Sequence, residues 1–221
     1  MNLAAAAGSA PTRAWRVYLG CGAGALAVYF FYPPLRGNGF IMNAIGFSSA
    51  LAMLAGVRMH RPAARAAWIL FALGMLLFVT GDVFYYSYPV IFHEEIPFPS
   101  VGDLFYLGVY PALVAGLLLL IRRRNPGGDK ASLIDALIVS TGLAVVAWVL
   151  LMAPYAHDTG LTLIEKFVLM AYPAMDVLLL AVVVRLSVDT GSRPPALYLL
   201  IVSTVALLTT DAIYGYISLN S

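Results

Sequence analysis

Four aspartates stand in otherwise apolar stretches of this 221-residue chain and are the residues best placed to do chemistry. They are Asp82 in "TGDVFYY", Asp103 in "FPSVGDLFYLGVYP", Asp176 in "YPAMDVLLL" and Asp211 in "TTDAIYGY". Tyrosines accompany them: Tyr85 and Tyr214 lie one turn after Asp82 and Asp211, Tyr172 one turn before Asp176, and Tyr110 follows Asp103 on the same stretch. At such spacings a carboxylate and a phenol share one face of a helix. The pairing predicts a site for a proton, a cation or a small polar ligand. The plainer reading is a hydrogen bond that joins two helices, or an interfacial band of aromatic rings.

Asp176 is the deepest of the four, roughly 13 Å of helix from the nearest arginine, Arg185. An ionised carboxylate there costs several kcal/mol in a bilayer, so it must be protonated, paired or turned to a wet interior. Asp103, like Glu165, opens an apolar stretch, where an acid also favours a helix N-terminus. Tyr110 and Tyr172 are each followed by proline. Pro111 and Pro173 remove a backbone donor inside a helical run and are the expected hinges.

Composition sets the elements that must carry these residues. Hydrophobic residues make up 62% of the chain and charged residues 11%, against about a quarter charged in a soluble domain. Apolar runs near the length needed to cross a bilayer recur throughout. Seven spans are predicted, over 15–32, 38–57, 66–86, 104–121, 132–152, 162–184 and 197–217. The expected class is therefore all-α, a polytopic membrane helical bundle of about seven transmembrane helices. A flexible cytoplasmic segment, 1–14, precedes an integral membrane domain, 15–221, whose first span reads as an uncleaved anchor. The seventh span would leave the chain's end on the outer face, as if further spans and a cytoplasmic effector followed.

The basic residues orient the bundle. Of the thirteen Lys and Arg, Arg13, Arg16, Arg58, Arg61, Arg65, Arg122, Arg123, Arg124, Lys130, Arg185 and Arg193 fall inside when the N-terminus is cytoplasmic. Only Arg36 and Lys166 fall outside. An internal repeat is also expected: "YPALVAGLLLLIRR" from Tyr110 parallels "YPAMDVLLLAVVVR" from Tyr172, and "IVST" recurs at Ile138 and Ile201. These pairs predict parallel helical-hairpin copies, unlike the inverted repeats of many transporters.

Other chemistry finds little support. His93 with Glu94 and Glu95, and His157 with Asp158, match no metal-ligand spacing, so no metal is expected and the cofactor is left unknown. Lys166 lies too near a span's edge for a retinal Schiff base. "NPGGDK" from Asn125 lacks the spacing and preceding strand of a phosphate loop. No nucleophile and base pair stands out, so no catalytic residue is assigned, and nothing points to nucleic acid. Cys21 is alone and forms no internal disulfide. Gly20 and Gly24 form a GxxxG pattern that permits close contact or homodimerisation.

The runs "PFPSVGDLFYLGVYPALVAGLLLLIRRR", "SLIDALIVSTGLAVVAWVLLMAP", "LIEKFVLMAYPAMDVLLLAVVVRL" and "PALYLLIVSTVALLTTDAIYGYISLNS" together resemble the N-terminal multi-span membrane domain found ahead of GGDEF and EAL domains in bacterial cyclic-di-GMP signalling proteins. Pro99, Ser100, Asp103, Tyr106, Tyr110, Pro111, Asp135, Tyr172, Pro173, Asp176 and Asp211 occupy the places of that family's punctuating residues. The resemblance implies a sensory module in the bacterial cytoplasmic (inner) membrane. Its partners would be the lipid bilayer and a GGDEF/EAL-type effector in the same polypeptide or complex. Neither catalytic motif occurs in these residues, so any cyclase or phosphodiesterase activity would belong to that effector. A small-solute or ion transporter, or a cofactor-binding membrane protein, is the alternative expectation.

Overall fold

A computed structural model describes residues 10–32, 39–124, 130–188 and 195–220. The described elements are α1 (Ala10–Phe31), α2 (Phe40–His60), α3 (Arg65–Phe92), α4 (Val101–Arg124), α5 (Lys130–Ala147), α6 (Ala153–His157), α7 (Leu163–Val188) and α8 (Pro195–Asn220). A π-helical turn, Trp148–Met152, fuses α5 and α6 into one rod, so the described residues form seven rods and no strand. The segment before residue 10, residues 125–129 of the "NPGGDK" run, and Arg36 and Arg193 lie outside the described residues.

Six of the rods are long and apolar enough to cross a membrane: Phe40–His60, Arg65–Phe92, Val101–Arg124, Leu133–His157, Leu163–Ser187 and Pro195–Ile217. Their outward faces carry large apolar side chains such as Leu104, Ile138, Val149, Phe167 and Val202. In water that surface would be a severe liability; in a bilayer it is the solvated face. The chain is therefore a multi-pass membrane helical bundle. Most rods outrun their predicted spans, α3 and the α5 rod furthest at their C-terminal ends. Helix α3 continues through Pro89 to Phe92, and the rod begun by α5 continues through its π turn to His157.

The tightest packing is between α3 and α4, an antiparallel hairpin. Its register is set by small residues. A Cβ added at Gly81 would lie 2.8 Å from the Tyr106 ring, and one at Gly116 would collide with the Phe71 ring. Only glycine lets the helices come this close. Phe84 stacks on Phe105 with ring centres 5.4 Å apart, and Phe78 meets Tyr106 edge-on. Helix α2 packs on α3, α7 on α4, α5 on α7, and α8 on α7. The joined helices α4 and α5 make little contact, whereas α7 and α8 pack together, so the two sequence copies do not form equivalent hairpins.

The apolar core lies where α3, α4, α7 and α8 meet. Phe71, Leu117, Ile121, Leu179, Val183, Leu186 and Leu197 fill it, and Tyr110 closes it on the side of the α4 and α7 N-termini. Each fully buried leucine of this set contributes about 1.5–3 kcal/mol relative to water in the usual transfer bookkeeping. Between helices already in lipid, close packing replaces that term.

Candidate functional site

Above the apolar core, three tyrosines and four aspartates form a layer of three separate hydrogen-bonded sets across four helices. Helix α4 organises it. Asp103, Tyr106 and Tyr110 recur at three and four residues, so one face of α4 carries all three.

Asp103 works at the start of the helix. Its Oδ2 accepts from the Ser100 backbone N–H at 2.7 Å and from the Ser100 hydroxyl at 2.9 Å. These bonds satisfy donors that a helix N-terminus leaves open. Thr162 and Glu165 repeat the device at α7, with Glu165 Oε2 accepting from the Thr162 N–H at 2.6 Å. Asp103 differs in that its second oxygen is also used: Tyr172 of α7 donates its hydroxyl to Oδ1 at 2.7 Å.

One turn further, the Tyr106 hydroxyl donates to Asp82 Oδ1 of α3 at 2.7 Å. A turn beyond that, the Tyr110 hydroxyl donates to Asp176 Oδ1 of α7 at 2.7 Å, with Asp211 Oδ2 of α8 at 3.3 Å. Tyr110 is 4% exposed. A phenol has a single proton to give and can also accept. The short bond to Asp176 takes that proton, and Asp211 faces the same oxygen.

Helices α4 and α7 thus exchange roles at two levels. Asp103 of α4 accepts from Tyr172 of α7, and deeper in the bundle Tyr110 of α4 donates to Asp176 of α7. The prolines expected as hinges follow the two tyrosines: Pro173 is buried within α7, and Pro111 is exposed within α4. No Lys, Arg or His occurs in α4 before Arg122, in α3 between Trp68 and Phe92, or within two turns of Asp176 or Asp211 on their own helices.

Six of the eight residues expected to bind ligand come together here: Asp82, Asp103, Tyr110, Tyr172, Asp176 and Asp211. The other two stand apart. Tyr85 is 44% exposed and meets Tyr86 edge-on, and Tyr214 is 70% exposed. Tyr106, expected only as one of the punctuating residues and not as a ligand, joins the six through its bond to Asp82; the signal was its position midway between Asp103 and Tyr110 on one face. His157 Nδ1 lies 2.7 Å from the Ala153 carbonyl oxygen, and among the described residues no group of three or more His, Cys, Asp or Glu is arranged to hold a metal.

No protein-family model, curated protein or solved structure matches the chain.

Proposed function

We propose that this chain is the membrane-embedded sensory module of a bacterial signalling protein. In this reading α1 is a seventh span, the N-terminus is cytoplasmic, and the bundle controls a cyclic-di-GMP cyclase or phosphodiesterase of the GGDEF/EAL type. The observation that carries it is the Tyr110 hydroxyl held between Asp176 and Asp211. Two carboxylates on one phenol, with no Lys, Arg or His among the described residues within two turns of either on its own helix, repel strongly in a low-dielectric interior. A proton bound at the pair relieves that repulsion, and its loss drives the carboxylates apart.

Because Asp176 and Asp211 belong to α7 and α8 while Tyr110 belongs to α4, gain or loss of one charge favours a different packing of three helices. Pro111 and Pro173, next to the tyrosines, supply the compliance. The shift reaches the end of the bundle where α4 and α7 finish. The resemblance to GGDEF-associated membrane domains supplies the proposed output.

Cellular cyclic-di-GMP, measured in the native host with Asp82→Asn, Asp176→Asn or Asp211→Asn at the chromosomal locus, tests this reading. At least one of the Asp176 and Asp211 variants should lock the output high or low across external pH. Unchanged output in all three rejects the proposal. A transporter is the rival reading, because Asp176 with Asp135 nearer the α5 start could line a polar path; solute or ion flux into proteoliposomes, abolished by Asp176→Asn, would favour it.

A further inference from the structure

The end of the bundle away from the tyrosine–aspartate layer concentrates positive charge on α2, α3 and α4. Arg58 lies in the last turn of α2 and Arg61 caps it, the Arg61 N–H bonding to the Val57 carbonyl, and Arg65 opens α3 after a connection of only four residues. Helix α4 ends on Arg122, Arg123 and Arg124. The α3–α4 register brings the two groups to one level. Phe71 faces Gly116, and six residues further along each helix stand Arg65 and Arg122. Arg58, Arg61, Arg65, Arg122 and Arg123 are all exposed.

Among the described residues of these three helices, no acid lies near Arg58, Arg61, Arg65, Arg122 or Arg123. Their described acids are Asp82 and Asp103, and Asp82 is about 25 Å along α3 from Arg65. Asp135 belongs to α5, which packs on α7. Like charges at one level on packed helices are unfavourable unless an anion lies between them. The same end carries exposed apolar side chains close to the arginines in sequence: Met59 is 73% exposed and Ile69 is 48% exposed, and the half-buried Trp68 packs edge-on against Phe71. A phosphate at the arginines would therefore have acyl chains running along an apolar face directly below it.

We infer that the arginines at the α2–α3 turn and the α4 C-terminus form a headgroup site for an anionic glycerophospholipid. Guanidinium forks suit the phosphodiester, since each can donate two parallel hydrogen bonds. The bilayer holds the ligand at the level where the arginines lie. This site is separate from the tyrosine–aspartate layer and does not depend on the sensory reading.

Trp68, one turn from Arg65, is a built-in probe. The full chain, carrying Trp15→Phe and Trp148→Phe, would be reconstituted in vesicles with chain-brominated phosphatidylglycerol or chain-brominated phosphatidylcholine at equal mole fraction. Brominated phosphatidylglycerol should quench Trp68 about twofold more strongly or better, as expected for selective residence of an anionic lipid beside a basic cluster. Arg65→Gln with Arg122→Gln and Arg123→Gln should equalise the two lipids. If that triple variant does not fold, the single variants Arg65→Gln and Arg122→Gln should each lower the preference. Equal quenching in the parent protein overturns the inference, as does a preference that survives these substitutions. Loss of the preference on adding inorganic phosphate at constant ionic strength would assign the arginines to a soluble anion and overturn it too.

Discussion

Tyr172 and Asp103 are joined by a 2.7 Å hydrogen bond between α7 and α4, and this bond makes a helix cap part of the bundle's centre. Asp103 holds Ser100 with one oxygen and Tyr172 with the other. The start of α4 is thereby tied to the helix that carries Asp176. A change at the deeper pair has a second attachment point through which to act.

Removing the Tyr110 hydroxyl should cost more than removing any other phenol in the bundle. Tyr110→Phe leaves two carboxylates facing each other without the shared donor. Interhelical hydrogen bonds in membranes contribute about 0.6 kcal/mol on average and about 1.7 at most, and the exposed repulsion adds to that. A double-mutant cycle of Tyr110→Phe with Asp176→Asn, read by denaturant unfolding in detergent, should give a coupling of about 1 kcal/mol.

Tyr172→Phe and Tyr214→Phe should separate cleanly. The first loses the bond to Asp103 and should destabilise by about 0.5–1.5 kcal/mol. The second alters a side chain that is 70% exposed and should fall within about 0.5 kcal/mol of the parent. Thermal unfolding of the two purified variants, side by side, checks the ordering.

Gly81→Val should break the α3–α4 hairpin at the level of the site. Even a single added carbon at Gly81 would reach 2.8 Å from the Tyr106 ring, so valine must push Tyr106 off Asp82. Overpacking of this kind costs about 1–3 kcal/mol. Unfolding measurements with and without Tyr106→Phe should show that most of the bond to Asp82 is already lost in Gly81→Val.

Orientation is open to labelling in a Cys21→Ser background. A cysteine at Glu94 should react with an impermeant maleimide added to intact spheroplasts. A cysteine at Arg123 should react only after the membrane is opened. The reverse pattern would invert the bundle and place the arginine end outside.

The helices were legible because an apolar stretch of bilayer length leaves the backbone little alternative. Their ends were less so. The third span was expected to end at residue 86, yet α3 continues through Pro89 to Phe92, and the π turn at Trp148–Met152 carries the α5 rod beyond its predicted end. The aspartates were legible too, since an acid in an apolar run is costly wherever it lies. Their partners were not. Spacing on one helix pointed Asp82 to Tyr85 and Asp211 to Tyr214, whereas the bonds cross to Tyr106 and Tyr110 of α4. Which neighbour a side chain meets depends on the register between helices. Gly81 and Gly116 set that register through close packing, and glycine in a membrane span is common enough to hide its purpose.

The central claim is that the pair Asp176 and Asp211 takes up and releases a proton at Tyr110. Infrared difference spectra of the purified protein, titrated across pH in lipid, read that event at the carboxyl C=O stretch. The account predicts a protonated-carboxyl band that titrates in the parent protein, is lost or shifted in both Asp176→Asn and Asp211→Asn, and moves in Tyr110→Phe. A spectrum in which no titrating carboxyl band responds to any of these three substitutions would contradict it.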